Sequence, residues 1–452
     1  MKLYNTLSRN IEEFKPIDAE RVKVYTCGPT VYSFAHVGNF TSYIYWDLLV
    51  RILALNGYKV ERVLNITDVG HLTSDADEGE DKMEKGAKRE GKTVWEVAEM
   101  YMNDYLKNFR ALNMVEPSRI CRATDFIKED MALVDVLEEK GYLYDTADGL
   151  YFDTSKFPTY ADFARLDLDH LKAGARVDFN SEKKNVSDFA VWKWVRDDED
   201  HAMQWEYKGR MGYPGWHLEC ATIIHEKLGE PIDIHCGGID HIPVHHTNEI
   251  AEIEAAYGKK MANYWLHNNF ITIDGEKISK SIGNVYHFED LKERGYSHMD
   301  YKMWVLQGHF QSERNFSFND LNAAKQRLLN YRNFAALRWQ KDATDLNSVR
   351  DAVMRQLNNN MNSAGAFAEI DKAINANVPD EEFVKFLDDA FGLGILDSTP
   401  DISDDLKEKI AERTKAKNER DFVKADTLRD EIAREGIVLL DGVDGSIWQY
   451  IK

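Results

Sequence analysis

Arg21 to Thr26 alternates polar and apolar residues with a period of two, the signature of a strand, and runs into the turn-forming Cys27-Gly28-Pro29-Thr30. Asn39 to Leu55 carries an aromatic and aliphatic face at helical spacing and closes on the stop pair Asn56-Gly57. Tyr58 to Asn65 returns to a strand pattern. Strand, helix and strand at this spacing predict a βαβ unit and therefore a parallel sheet. Ligands of such sheets bind beyond the carboxyl ends of the strands, where Cys27 and His36 fall.

Farther on, Val94 to Leu112 reads as a helix, Asp233-Ile234-His235 as a returning strand, and Val244 to Tyr257 as the helix after it. Between them, residues 117–200 mix short strands with aromatics such as Phe189 to Trp194, the texture of a domain inserted into the sheet. Beyond Tyr301 helical periodicity holds to about Leu393. Pro400 opens a last unit: a charged helix from Asp404, another through Asp421 to Arg434, a strand from Gly436 to Leu440, and a turn at Asp441-Gly442. The predicted class is α/β, with an all-α segment and a small α+β unit at the end.

Composition narrows the picture. At 452 residues the chain exceeds one core, and two to four domains are expected. With no apolar run of the roughly 18 residues that span a bilayer, and no signal-like core after Met1, a cytoplasmic protein without a membrane partner is expected. Four cysteines (Cys27, Cys121, Cys220 and Cys236) are too few for a disulfide scaffold and suit reduced thiols or metal ligands. A net charge of −21 argues against a general nucleic-acid binder, while leaving room for a specific RNA enzyme whose basic residues are locally concentrated.

Two phosphate-type elements stand out. Lys277-Ile278-Ser279-Lys280-Ser281 puts two lysines three apart on a Gly-flanked, Ser-rich loop, able to neutralise charge as it moves onto a leaving group. His36-Val37-Gly38-Asn39 sits where strand meets helix, so both side chains can donate to phosphate oxygens beside the helix-end amides. Alone, that second string is more commonly a turn; together the two point to nucleotide activation. Cys27, Cys220, His245 and Glu249 form a third constellation. His245 and Glu249 are four apart and share a helix face, and two thiolates, an imidazole and a carboxylate make a zinc-type set. No finger spacing joins them, and by spacing alone buried cysteines and a helix-capping histidine are the commoner reading. His235, Cys236, His241 and His246 crowd the same stretch and leave the ligands open.

These strings resemble one family. Tyr4 to Leu7, Tyr25 to Tyr32, His36 to Asn39, Asn65 to Asp68, Gly174 to Val177, Asp188 to Ala190 with Trp192-Lys193, Gly215 to Cys220, His245 to Glu249, Lys277 to Ser281, and Ala425-Asp426 through Trp448 are similar, in order, to cysteinyl-tRNA synthetases of class I. The resemblance implies a Rossmann-type parallel-sheet catalytic domain in two halves (1–116 and 201–265) around an inserted connective domain (117–200). After it come a stem-contact segment with the lysine loop (266–315), an all-α helical bundle (316–399) and a small C-terminal α+β anticodon-recognition domain (400–452).

It also implies ATP-dependent ligation of L-cysteine to tRNA(Cys) through cysteinyl-adenylate, by a monomer, with Mg²⁺ accompanying ATP. Cys27, Cys220, His245 and Glu249 would hold one Zn²⁺ that selects the substrate thiolate. Gly28, Thr30, Thr67 and Trp216 would line the cysteine pocket. His36, Asn39, Lys277 and Lys280 would act on the phosphates, and Gly237, Gly238 and Asp240 would approach adenosine and ribose. Arg413 and Lys417 would contact tRNA, and Trp448 would stack a base. The chain departs from the family in having Asn39 for a usual histidine, Cys236 for a glycine, Thr247 for a glutamate, and a longer acidic stretch from Val69 to Glu80. A cysteine ligase of small-thiol biosynthesis lacks the terminal unit seen here. A non-catalytic RNA-binding paralogue would need neither the lysines nor the metal-type residues.

Overall fold

The computed structural model describes residues 1–70, 82–167, 182–196, 201–279, 282–442 and 445–451. It begins with a hairpin of β1 (Lys2–Asn5) and β2 (Asn10–Glu13). That hairpin holds residues far away in the chain. Lys2 N donates to Asn358 O at 2.7 Å, Asn360 N to Lys2 O at 2.9 Å, and Thr6 N to Trp265 O at 2.8 Å.

The alternating segment forms β3 (Arg21–Thr26), parallel to β4 (Lys59–Ile66), which pairs in parallel with β5 (Arg119–Arg122). The chain then builds a separate antiparallel sheet from β6 (Leu143–Asp145), β7 (Gly149–Phe152), β8 (Phe189–Trp194), β9 (Trp205–Tyr207) and β10 (Arg210–Pro214), in the order β6-β7-β8-β10-β9. It returns through β11 (Ile232–Gly238) and β12 (Ala262–Asn268), completing a parallel sheet of order β12-β11-β3-β4-β5. This is a Rossmann-type sheet whose strand order reverses beside β3. The switch point falls between the ends of β3 and β11, so Cys27 and Gly237 flank the crevice where such sheets take ligands. β11 is more than twice the predicted length because both its faces are buried, which removes the alternation that marks a half-exposed strand.

The first long helix covers Val37–Leu55 and starts two residues before its predicted onset. His36 caps it: His36 Nδ1 accepts from Asn39 N at 3.3 Å, and Asn39 Oδ1 accepts from His36 N at 3.0 Å. The helix is then pinned by a buried charge cluster. Asp47 Oδ1 accepts from Val115 N at 2.7 Å, and its Oδ2 accepts from Arg51 Nε and from Lys302 Nζ, both at 2.9 Å. Lys302 Nζ also donates to Leu112 O at 2.9 Å, and Arg51 Nη1 to Asp388 O at 3.0 Å. Asp47 and Lys302 have no exposed side-chain surface. The cluster locks this helix to the helices His298–Leu306 and Glu381–Phe391, tying the sheet layer to the helical part of the chain.

The segment beyond Tyr301 is mostly helical, as read, but one strand interrupts it. Arg314–Phe316 runs parallel to Ile271–Ile273, which pairs with Glu276–Lys277 and so braces the base of the lysine loop. At the end, helices Asp404–Asn418 and Phe422–Arg434 pack against a hairpin of Ile437–Gly442 and Gly445–Tyr450. Asp441 and Gly442 pair with Ser446 and Gly445 inside that hairpin, so they are strand residues rather than the predicted turn. Among the described residues, no helix is long and apolar enough to cross a membrane. Most of the acidic stretch (71–80) and the run Gly174 to Val177 lie outside the described residues.

Candidate active site and metal centre

The strand ends build the floor. Cys27 N donates to Cys236 O at 3.2 Å, which ties the end of β3 to β11. Gly28 N donates to Asn65 Oδ1 at 2.7 Å, and Asn65 Nδ2 to Thr67 Oγ1 at 3.0 Å. Thr30 and Thr67 form an isolated parallel bridge, closed by Val31 N to Thr67 O at 3.1 Å and Thr67 N to Pro29 O at 3.0 Å. Gly28, Thr30 and Thr67 therefore share one wall. A Cβ on Gly28 would stand 1.7 Å from Asn65 O, so only glycine fits this crossing. Gly28→Ala is expected to cost about 1–3 kcal/mol of stability or more through forced strand separation. A thermal melt checks it.

Above this floor the metal-type residues converge. Cys27, Cys220, His245 and Glu249 are all buried and offer ligand atoms within 4.8 Å of one another. An overlapping set, Cys27, His235, His246 and Glu249, meets the same condition. His245 Nε2 lies 2.9 Å from Glu249 Oε1, while its Nδ1 is 2.9 Å from His217 Nδ1. His235 Nε2 holds the other Glu249 oxygen at 2.8 Å. His246 faces Cys27 Sγ at 3.4 Å, and its Nδ1 continues through His267 (2.8 Å) to Thr6 Oγ1 (2.8 Å). His217, His235, His246 and His267 thus orient the central donors. The crowding of histidines was visible in the sequence; which ring faces which was not.

Electrostatics fits a cation. Burial would raise Glu249, but His245 and His235 hold its carboxyl far below the usual range. Burial pushes the Cys27 thiol up, and Cys220 is raised well above its ordinary value by its contact with Cys27 and then by burial. Burial would lower His245, yet Glu249 keeps it protonated well above its ordinary value. The protons on Cys27, Cys220 and His245 are ones a bound metal would displace, while Glu249 already carries its charge. Trp216, at the start of helix Trp216–Lys227, stacks on His245 with ring centroids 4.3 Å apart and forms a lid on this cluster.

The two phosphate-type elements meet. A Cβ on Gly38 would stand 2.5 Å from Ile278 Cδ1, so the lysine loop packs directly on the start of the Val37–Leu55 helix. Val37 N donates to Tyr286 O at 2.8 Å, and Asn284 Oδ1 accepts from Ser279 N at 2.8 Å, anchoring the loop on both sides. Lys277 is exposed; Lys280 lies outside the described residues. At the end of β11, a Cβ on Gly237 would stand 2.6 Å from His246 Cε1, and one on Gly238 would stand 2.2 Å from Asp240 Oδ1. These glycines let the histidine cluster and Asp240 close over the strand end.

The terminal unit differs from its reading. Arg413 is buried, 7 % exposed, and grips Asp441 with Nη1 at 2.8 Å and Nη2 at 2.9 Å. Trp448 is 6 % exposed, packed with Ile432, Ile437 and Leu439, and its N donates to Gln340 Oε1 at 2.8 Å. Both side chains hold the unit together, and Trp448 offers no free face to a base. Lys417 also pairs with Asp441, at 2.8 Å, but stays 44 % exposed.

A parallel sheet with its crevice at the switch point, two phosphate elements in contact and a buried thiol–histidine–carboxylate centre define a nucleotide-dependent enzyme site. The family model for the class I (C) tRNA synthetase catalytic domain matches residues 13–326. Cysteine--tRNA ligase 1 of Burkholderia lata is 41% identical, over 98% of this chain and 96% of the relative. The cysteine--tRNA ligase of Treponema denticola is 37% identical over 99% of each chain. Among solved structures, the methionyl-tRNA synthetase of Mycobacterium tuberculosis bound by methionyl-adenylate matches with a TM-score of 0.59 at 15% identity, covering 84% of each chain, which shows a shared fold. The chain belongs to the cysteine--tRNA ligase family of class I tRNA synthetases.

Proposed function

We propose that this protein activates L-cysteine with ATP and transfers it to the 3′ end of tRNA(Cys). The observation that carries this reading is the convergence of Cys27, Cys220, His245 and Glu249 beside the crevice that the two phosphate elements border. The donor set suits zinc: two sulfurs, one imidazole and one carboxylate oxygen, all buried. Of the two overlapping sets, the one with both cysteines is the softer, and Cys27, Cys220, His245 and Glu249 would hold the ion, with His235 and His246 orienting them. When bound, zinc supplies a thiolate-selective contact that a serine hydroxyl matches poorly. Gly28, Thr30 and Thr67 bring backbone close to the amino acid, and Trp216 excludes water above it. His36 and Asn39 donate to the phosphates at the helix start. Lys277 and Lys280 follow charge onto the departing pyrophosphate, which Mg²⁺ accompanies. Gly237 and Gly238 admit adenosine, and Asp240 accepts from the ribose hydroxyls.

Within this reading, 1–116 and 201–265 are the two halves of the catalytic domain, 117–200 the connective insertion, 266–315 the stem-contact segment, 316–399 the bundle and 400–452 the anticodon unit. Lys417→Glu is expected to lower tRNA charging about three- to tenfold and to spare adenylate formation. Arg413→Ala is instead expected to destabilise the terminal unit by about 1–2 kcal/mol, limited by the partial exposure of Asp441. Parallel charging, exchange and melting assays separate the two effects; equal loss of both activities in Lys417→Glu would remove its assignment.

The test of the whole is ATP–pyrophosphate exchange with cysteine and with serine, followed by charging of tRNA(Cys). Exchange with cysteine and charging are expected. Exchange without charging would favour a small-thiol ligase, and no exchange from folded, zinc-loaded protein would favour a non-catalytic paralogue.

A further inference from the structure

One buried amide spans the wall that Gly28 and Thr67 form. Asn65, near the end of β4, is 2% exposed, and so is Thr67, which leaves neither side chain to bulk water. Asn65 Oδ1 accepts from Gly28 N at 2.7 Å, and Asn65 Nδ2 donates to Thr67 Oγ1 at 3.0 Å. A backbone N–H can only donate, which fixes the amide oxygen on Gly28 and the NH₂ on Thr67. The Thr67 hydroxyl is thereby made an acceptor toward Asn65, and its own proton is left to donate elsewhere. Thr67 N and O are taken by Pro29 O and Val31 N, and among the described residues the hydroxyl has no second partner.

This happens on the side of the sheet that carries the metal-type cysteines. Alternate side chains along a strand share a face. Val63 packs in the same buried cluster as Tyr25, Cys27 and Cys220, while Leu64 and Ile66 pack in the other one. Asn65 shares the face of Val63, and its 3.0 Å contact keeps the Thr67 hydroxyl with it.

We infer that Asn65 is a positioning residue for the amino acid: by donating to the Thr67 hydroxyl it commits the Thr67 proton to the substrate's carboxylate. The inference rests on the reading above, in which Thr67 lines the cysteine pocket. Of the two charged groups on the amino-acid backbone, a carboxylate can accept that proton and an ammonium, having no lone pair, cannot. An ionised aspartate at position 65 would still accept from Gly28 N but would have nothing to donate. The Thr67 hydroxyl would then turn and donate to it, and its proton would be lost to the substrate.

The test is a double-mutant cycle on the zinc-loaded full chain, read as equilibrium binding of L-cysteine and of cysteamine, which lacks the carboxylate. Thr67→Val is expected to raise the Kd of cysteine about tenfold or more, the scale of a hydrogen bond to a charged group, and to move that of cysteamine less than about twofold. Thr67→Ser, which keeps a hydroxyl, is expected to restore most of the affinity. Asn65→Asp is expected to match Thr67→Val on cysteine, and to add less than about twofold when the two are combined. Should Asn65→Asp fail to fold, Asn65→Ala completes the same cycle with a smaller rise. An unchanged Kd for cysteine in the Asn65 variant, or a rise as large in the Thr67→Val background as in wild type, overturns the inference. A wild-type protein that does not bind cysteine overturns instead the reading on which it rests.

Discussion

Cys220→Ser is expected to lower cysteine-dependent ATP–pyrophosphate exchange by at least about 100-fold and to strip most of the zinc proposed for this site. Loss of groups that merely orient ligands already costs roughly 10–100-fold in metal affinity, so loss of a ligand is expected to exceed that. The residual activity is expected to discriminate poorly against serine, because contacts of van der Waals type reject near-isosteres only weakly. Cys236→Ser is the matched control: a buried thiol on the same sheet that belongs to neither convergent set, and whose loss is expected to change exchange by less than about threefold. Metal content measured beside exchange decides the ligand set. Retention of zinc and activity in Cys220→Ser would transfer the ion to Cys27, His235, His246 and Glu249, the set that omits Cys220.

Lys302→Met is expected to cost about 3–5 kcal/mol of stability, since it leaves the wholly buried Asp47 with a weakened counter-charge. Removing both partners, as Asp47→Leu with Lys302→Met, is expected to recover much of that loss, because a buried pair often gains little over well-packed apolar residues. The same cluster gives an acid dependence. Burial alone would raise Asp47, but Lys302 and Arg51 hold it at about 2, below its ordinary 3.8. A depressed carboxyl stabilises the fold fully above the unfolded value and loses that contribution as pH falls through the folded one. Wild-type protein is expected to lose this increment between about pH 4 and about pH 2, and the double variant to lose none of it. Urea titrations across that range measure the difference. A single variant as stable as wild type would show that Asp47 finds its partner elsewhere.

Much of the sheet was legible because part of it faces one way. β3 alternates and was read residue for residue; β11 does not, and only three of its seven residues could be read. Asp47 and Lys302 look like ordinary solvated positions, because periodicity marks apolar faces and says nothing of two opposite charges meeting across the fold. Arg413 misled for the same reason. It sits among basic residues that share its helix, yet its own turn of helix faces Asp441, an orientation set by a hairpin that local spacing cannot reveal. The four metal-type residues come from separate segments, so the sequence showed the right chemistry but not the geometry. That two donor sets overlap at Cys27 and Glu249 became visible only in the folded arrangement of the histidines.

The hairpin that opens the chain also imposes an order on synthesis. Lys2 takes further hydrogen-bond partners from Asn358 and Asn360, and the next turn takes one from Trp265, so residues made early wait for residues made much later. During translation β1 pairs with β2 at once, but its contacts to the distant segments stay open while most of the catalytic sheet already exists, and their closure is a long-range event of the kind that slows folding. The bridge is formed only when the helical half has emerged. A ribosome stalled before residue 358 would therefore carry a nascent chain with a protease-sensitive leading edge, and one stalled well beyond it would not.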